Sequence, residues 1–238
     1  MKTITYLLFL LISGSCYAQN SDVTTVGYAD QFDKAPKLTF VKTTKAKYDS
    51  IPARNMLLKP KLLGNDNNFF IQTKKGLLAL KKYRENANVA EEFKGYQYAG
   101  YFPSLKMYAL FSHHTAEHIG FSDLILIDHL NAKKYAIASV GDDAVQLPIP
   151  SPNNRYLVYF YNWVYEKNSS FIGVLKIGSR TNPKTLISVK ASYDTKKWAV
   201  EDIKWLNDTS FIVKAVTEEK DTSTMSKNYS YYLAQFKP

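Results

Sequence analysis

Residues 151 to 177, SPNNRYLVYFYNWVYEKNSSFIGVLKI, place the tightest limit on what this chain can fold into. They read as a turn, an apolar strand, a polar hairpin loop and a second strand. Along the first strand, Tyr156, Val158, Phe160 and Asn162 fall on one face, and Leu157, Tyr159, Tyr161 and Trp163 on the other. Both faces are largely apolar. Such a strand needs cover on both sides, which a sheet stacked between neighbouring sheets supplies and a solvent-backed sheet does not.

The stretch has a counterpart 49 positions earlier, where Pro103 aligns with Pro152, Met107 with Tyr156, Phe111 with Phe160, Leu126 with Leu175 and Ile137 with Leu186, without a gap. A fixed register of this kind is the mark of a repeated supersecondary unit. The register relates two of four units, at about 62–93, 94–140, 145–190 and 198–238, the fourth aligning with the third at an offset of 54. Each carries short apolar runs separated by turn residues, among them Gly64-Asn65-Asp66-Asn67-Asn68 in the first and Leu130-Asn131-Ala132-Lys133 in the second. In the fourth, Thr217 to Lys227 reads as a long polar hairpin loop before a closing strand from Tyr231 to Phe236.

The first 18 residues combine Lys2, an apolar run from Tyr6 to Ile12 and small residues up to Ala18, the pattern of a secretory signal peptide. Gly14-Ser15-Cys16 offers a lipoprotein alternative through Cys16, weakened by Ser13 where a lipobox has an aliphatic residue. Cleavage after Ala18 removes the one cysteine, so a periplasmic or secreted mature chain has neither disulfide nor thiol nucleophile. Residues 19–36 are polar and aperiodic and suggest a mobile arm, followed by one domain over 37–238. No later apolar run approaches the ~20 residues of a membrane span.

The net charge of +10 is concentrated early: between Lys34 and Arg84 there are 13 Lys and Arg against Asp49 and Asp66. Such a footprint suits a protein or an anionic envelope component better than nucleic acid. Lys74, Lys75, Lys81, Lys82 and Arg84 are its candidate binding residues, joined by Tyr165 in the hairpin loop after the aromatic strand.

Ser151-Pro152-Asn153-Asn154-Arg155-Tyr156-Leu157 resembles the Ser-Pro-Asp-Gly-Lys-Tyr-Leu turn-and-strand signature of WD40-like and TolB-like β-propeller blades. Ile203-Lys204-Trp205-Leu206-Asn207-Asp208 is similar to the variant with Trp before the turn. The resemblance implies an all-β propeller, or an open propeller-like array of about four antiparallel blade-like sheets. It implies no activity, since propellers host many functions.

His114-Thr115-Ala116-Glu117-His118 fits the H-x-x-E-H pattern of inverted zinc peptidases, which needs a helix to bring both histidines to one face. The repeat register instead puts these residues in a hairpin between two strands. His113, His114 and His118 remain candidates for looser metal binding in such a loop. Gly141-Asp142-Asp143 reads as an inter-unit turn. No cofactor fingerprint occurs.

The expectation drawn from these features is an exported, non-enzymatic binding module for a protein or anionic envelope component, with an inhibitor or immunity-type role as one form it could take. The alternatives are a metal-dependent hydrolase built on His114, Glu117 and His118, and a structural component of an envelope assembly.

Overall fold

The computed structural model describes residues 23–27, 29–54, 56–84, 93–116, 119–137, 146–163, 165–221 and 224–238. The signal-like segment 1–18 lies outside them. The described chain opens with strand β1 (Val23–Val26), helix α1 (Ala29–Lys34), strand β2 (Thr39–Thr43) and helix α2 (Lys45–Asp49). Four sheets follow in chain order.

The first sheet holds β3 (Leu63–Gly64), β4 (Asn68–Thr73) and β5 (Gly76–Lys81); the second holds β6 (Phe93–Phe102), β7 (Met107–Ala116), β8 (Ile119–Asp128) and β9 (Lys134–Ile137). The third is β10 (Ile149–Pro150), β11 (Tyr156–Asn162), β12 (Ser170–Ile177) and β13 (Ile187–Thr195). The fourth is β14 (Ala199–Asn207), β15 (Ser210–Asp221) and β16 (Thr224–Gln235). Within each sheet these strands run as antiparallel meanders. No sheet closes on itself, so the protein is all-β and its sheets stack as an open propeller-like array.

Every residue from Tyr156 to Tyr161 is buried. Leu157, Tyr159 and Tyr161 pack into a core shared with Met107, Leu124 and Leu126 of the second sheet, whereas Tyr156, Val158 and Phe160 join Trp205, Phe211 and Val213 of the fourth. The third sheet is thus covered on both sides, as its two apolar faces require. Phe69, Ile71, Leu78 and Leu80 of the first sheet cover the far side of the second. Tyr159 is accommodated by Gly173 on β12, where a Cβ would lie 2.5 Å from the tyrosine ring.

The turns that lead into the inner strands hold neighbouring sheets together. Ser104 donates from its hydroxyl to the Asn154 amide oxygen at 2.8 Å, and Asp208 accepts from the Asn153 backbone N–H at 2.9 Å. Asn154 has φ of 57°, a left-handed conformation that asparagine tolerates well. Between the second and third sheets, Arg180 donates from Nε to the fully buried Asp128 at 2.9 Å.

The segment 19–36, expected as an arm without regular structure, carries β1 and α1 within its described part. β1 adds to β9 in parallel, Leu38 N–H donates to Ser192 C=O at 3.0 Å on the third sheet, and β2 adds antiparallel to β16. The N-terminal strap therefore crosses the outer edges of three sheets. A polar, aperiodic sequence suffices there because edge pairing is made by backbone groups, and Phe32 supplies the apolar anchor against Phe171 at 4.8 Å.

Two hairpins are longer than the sequence suggested. β15 and β16 pair from Ser210–Gln235 out to Asp221–Thr224, so most of the expected loop at 217–227 is strand. β7 likewise runs through His113 and His114 to Ala116. Hydrophobic alternation fades where the strands run beyond the inter-sheet cores, while the backbone ladder continues.

Gly173→Ala is expected to lower stability by about 1–3 kcal/mol through the clash with Tyr159. A reduced denaturant midpoint at unchanged slope is the result to look for.

Candidate functional site

The basic residues singled out from the sequence lie at opposite ends of the β4–β5 hairpin. Lys74 and Lys75 occupy its turn, while Lys81 ends β5 and Lys82 and Arg84 follow it. A six-residue strand separates the groups by roughly 20 Å. At the far end Lys82 Nζ donates to Asn65 C=O at 2.5 Å, and Arg84 Nη2 donates to Asp66 C=O and to Asn67 Oδ1, both at 2.9 Å. These side chains clamp the 65–67 turn. Tyr165 is exposed in its loop, whereas Tyr161 and Trp163 pack together at 5.3 Å in and beside the core.

His113 and His114 are neighbours on β7 and so point to opposite faces of the sheet. His113 stacks on Tyr83 at 3.9 Å and hydrogen-bonds Gln97 at 3.2 Å; His114 stacks on Phe121 and approaches Asp123 at 3.8 Å. Glu117 and His118, like Asp142 and Asp143, lie outside the described residues. On a strand, residues i and i+4 share a face but stand roughly 13 Å apart, too far to hold one metal ion as the zinc-peptidase helix does. Among the described residues no three His, Cys, Asp or Glu come together as a metal site.

A cleft of about 190 Å³ does form where the first strands of the third and fourth sheets meet residues 51–56. Its construction begins with a β-bulge in β14, at which the register with β15 shifts between Val200 and Asp202. The extra residue keeps Val200, Ile203 and Trp205 in the inter-sheet core and turns Asp202 and Lys204 to the other face. That face is covered by α2, started by Thr44, whose hydroxyl accepts from Lys47 N–H at 3.2 Å.

On this face the Tyr48 hydroxyl donates to Asp202, and Lys204 Nζ lies 4.2 Å over the Tyr48 ring while donating to Ile51 C=O at 3.1 Å. Burial, reinforced by the Asp202 hydrogen bond and charge, raises the Tyr48 pKa well above the ordinary phenol value, so Tyr48 stays a neutral donor. Arg54 stands exposed at the rim. Ile149, Pro150, Ile203 and Trp205 make the apolar wall, and Trp205 Nε1 donates to Ile149 C=O at 2.9 Å, tying β14 to β10. The cleft thus joins two cations, one carboxylate and an apolar surface. Sequence reasoning missed it because its parts come from 48–56, 149–150 and 202–205; the W-x-x-D turn marked β14 but gave no sign of what α2 would bring to it.

No protein family model matches the chain, and no curated protein matches it. Among solved structures there is a match to puromycin hydrolase, at 12% identity and a TM-score of 0.40, covering 69% of this chain and 27% of that one. The chain spans about a quarter of that protein's length. The matched protein is a hydrolase, at variance with the expectation of a non-enzymatic module, which is carried no further.

Burial raises the Asp123 carboxyl pKa and the nearby His114 draws it down, the net direction being upward. Because the folded-state value exceeds the unfolded one, stability falls as pH rises from about 4 through the folded-state pKa. Relative to the parent chain, Asp123→Asn should gain thermal stability across that window and keep the gain above it. A pH-independent difference would contradict the assignment.

Proposed function

We propose that this protein is an exported propeller-like protein that takes a small anionic ligand with an apolar side in the cleft at Asp202 and Lys204, and that the site can carry proton-transfer chemistry. The observation supporting this most directly is the convergence of Arg54 and Lys204 with Asp202 beside an apolar wall that includes Trp205. The volume lies below the ~300–1,000 Å³ of sites for drug-sized molecules, which favours a small carboxylate or phosphate ester. The ligand's charge faces Arg54 and Lys204, and its apolar side rests on Ile149, Ile203 and Trp205. Asp202 is the base available to the bound molecule, with Tyr48 holding it in place.

The signal-like N-terminus supports a periplasmic or secreted location for this activity. No helix among the described residues is long and apolar enough to cross a membrane. The 49-residue register supports a repeat origin for the sheets, since Met107 and Tyr156 begin β7 and β11, and Leu126 and Leu175 lie on β8 and β12.

Calorimetric titration with a series of small carboxylates and phosphate esters tests the reading. Arg54→Gln combined with Lys204→Gln should weaken binding of the best ligand about tenfold or more. Asp202→Asn removes a like charge, so it should tighten binding and abolish any turnover. Binding that is indifferent to all three substitutions would overturn the proposal.

A further inference from the structure

A second cleft, of about 330 Å³, opens where the outer strands of the third and fourth sheets meet. It shares no residue with the cleft at Asp202. Four aromatic rings line it: Tyr193 on β13, Trp198 just before β14, Tyr232 on β16 and Phe40 on β2. Trp198 is nearly parallel to Tyr193 at 5.9 Å and to Tyr232 at 5.4 Å, and Phe40 lies 4.3 Å from Tyr193. Spacings this short leave no gap for a planar base between two ring faces. Trp198 is buried as the backing, while Tyr193, Tyr232 and Phe40 are half-buried.

Around the rings stand short polar groups. Thr217 donates to Asn228 C=O at 3.4 Å, and the side chains of Asn228 and Ser230 have no protein partner among the described residues. Lys42 and Lys197 are exposed at the cleft, and neither ammonium has an ion-pair partner among the described residues. No carboxylate lines the cleft. Asp194 follows Tyr193 on β13 and so points to the opposite face, and Glu218 pairs with Lys227 at 3.5 Å.

Aromatic surface, dispersed hydroxyl and amide groups, and uncompensated positive charge together define a ligand with a flat C–H face, several hydroxyls and one negative charge. A fatty anion would leave Asn228, Ser230 and Thr217 facing hydrocarbon, and a bare inorganic anion would leave the rings unused. We propose that this cleft binds an acidic sugar residue of the hexuronate type. The sugar's C–H face lies on Tyr193 and Tyr232, its hydroxyls meet Asn228 and Ser230, and its carboxylate meets Lys42 and Lys197.

Calorimetric titration of the full chain with glucuronate, glucose and acetate provides the test, with thermal denaturation run alongside. Glucuronate should bind at least about tenfold more tightly than glucose or acetate. Lys42→Gln combined with Lys197→Gln should erase the advantage over glucose without moving the denaturation midpoint, since both side chains are exposed. Arg54→Gln should leave glucuronate binding unchanged, which separates this site from the cleft at Asp202. Undetectable glucuronate binding, acetate binding of equal strength that is lost with Lys42 and Lys197, or a preference that survives loss of both lysines would each overturn the proposal.

Discussion

The architecture depends on the burial of both faces of the third sheet. A strand whose side chains are apolar on either side has no solvent-facing orientation, so it is stable only between two other sheets. β11 meets this demand with Leu157, Tyr159 and Tyr161 toward the second sheet and Tyr156, Val158 and Phe160 toward the fourth. Each flanking sheet then has an outer face of its own to cover. The second is covered by the first sheet, and the fourth by α2, where Tyr48 and Ile51 pack on Ile212 with Tyr231 and Leu233. The helix acts as a cap on an array that would otherwise expose a fourth apolar face, a role that terminal elements play in stacked repeats.

The same cap organises the candidate site. α2 approaches β14 because Ile212 must be covered, and in doing so it delivers Tyr48 to Asp202 and the 51–56 segment to the edge of β10. From there the chain continues along the first strands: Met56 and Leu57 pack on the core between the second and third sheets, and Leu58 pairs with Tyr101 at 2.9 and 2.7 Å. At Gly100 a Cβ would come within 2.7 Å of Leu58 C=O, so that close passage depends on a missing side chain. Edge protection is arranged in the same economical way. β1 and β2 occupy the outer edges of the second and fourth sheets, which would otherwise present unpaired backbone groups to other chains.

Features that rest on side-chain alternation were legible in the sequence. The Ser151-Pro152-Asn153-Asn154 turn and the two-faced strand after it appear where periodicity and turn chemistry put them. Features that rest on backbone pairing alone were not. β1, the outer half of the β15–β16 hairpin and the end of β7 are rich in polar residues, and no hydrophobic period announces them. α2 is too short for a helical period. Both clefts assemble residues far apart in the chain, and their pairing follows from sheet register that one sequence does not display. His113 and His114 illustrate the reverse case, in which candidate ligands adjacent in the sequence are separated because a strand sends neighbouring side chains to opposite faces.

The central claim is that the third sheet is held from both sides. The direct test is the unfolding free energy of Leu157→Ala, which opens a cavity toward the second sheet, and of Phe160→Ala, which opens one toward the fourth. Costs of about 2–5 kcal/mol for each, with both chains still folding cooperatively, are expected for side chains buried in two separate cores. A cost below about 0.5 kcal/mol for either, the ordinary range of a surface position, would show that one face is open to solvent and would contradict the stacked array.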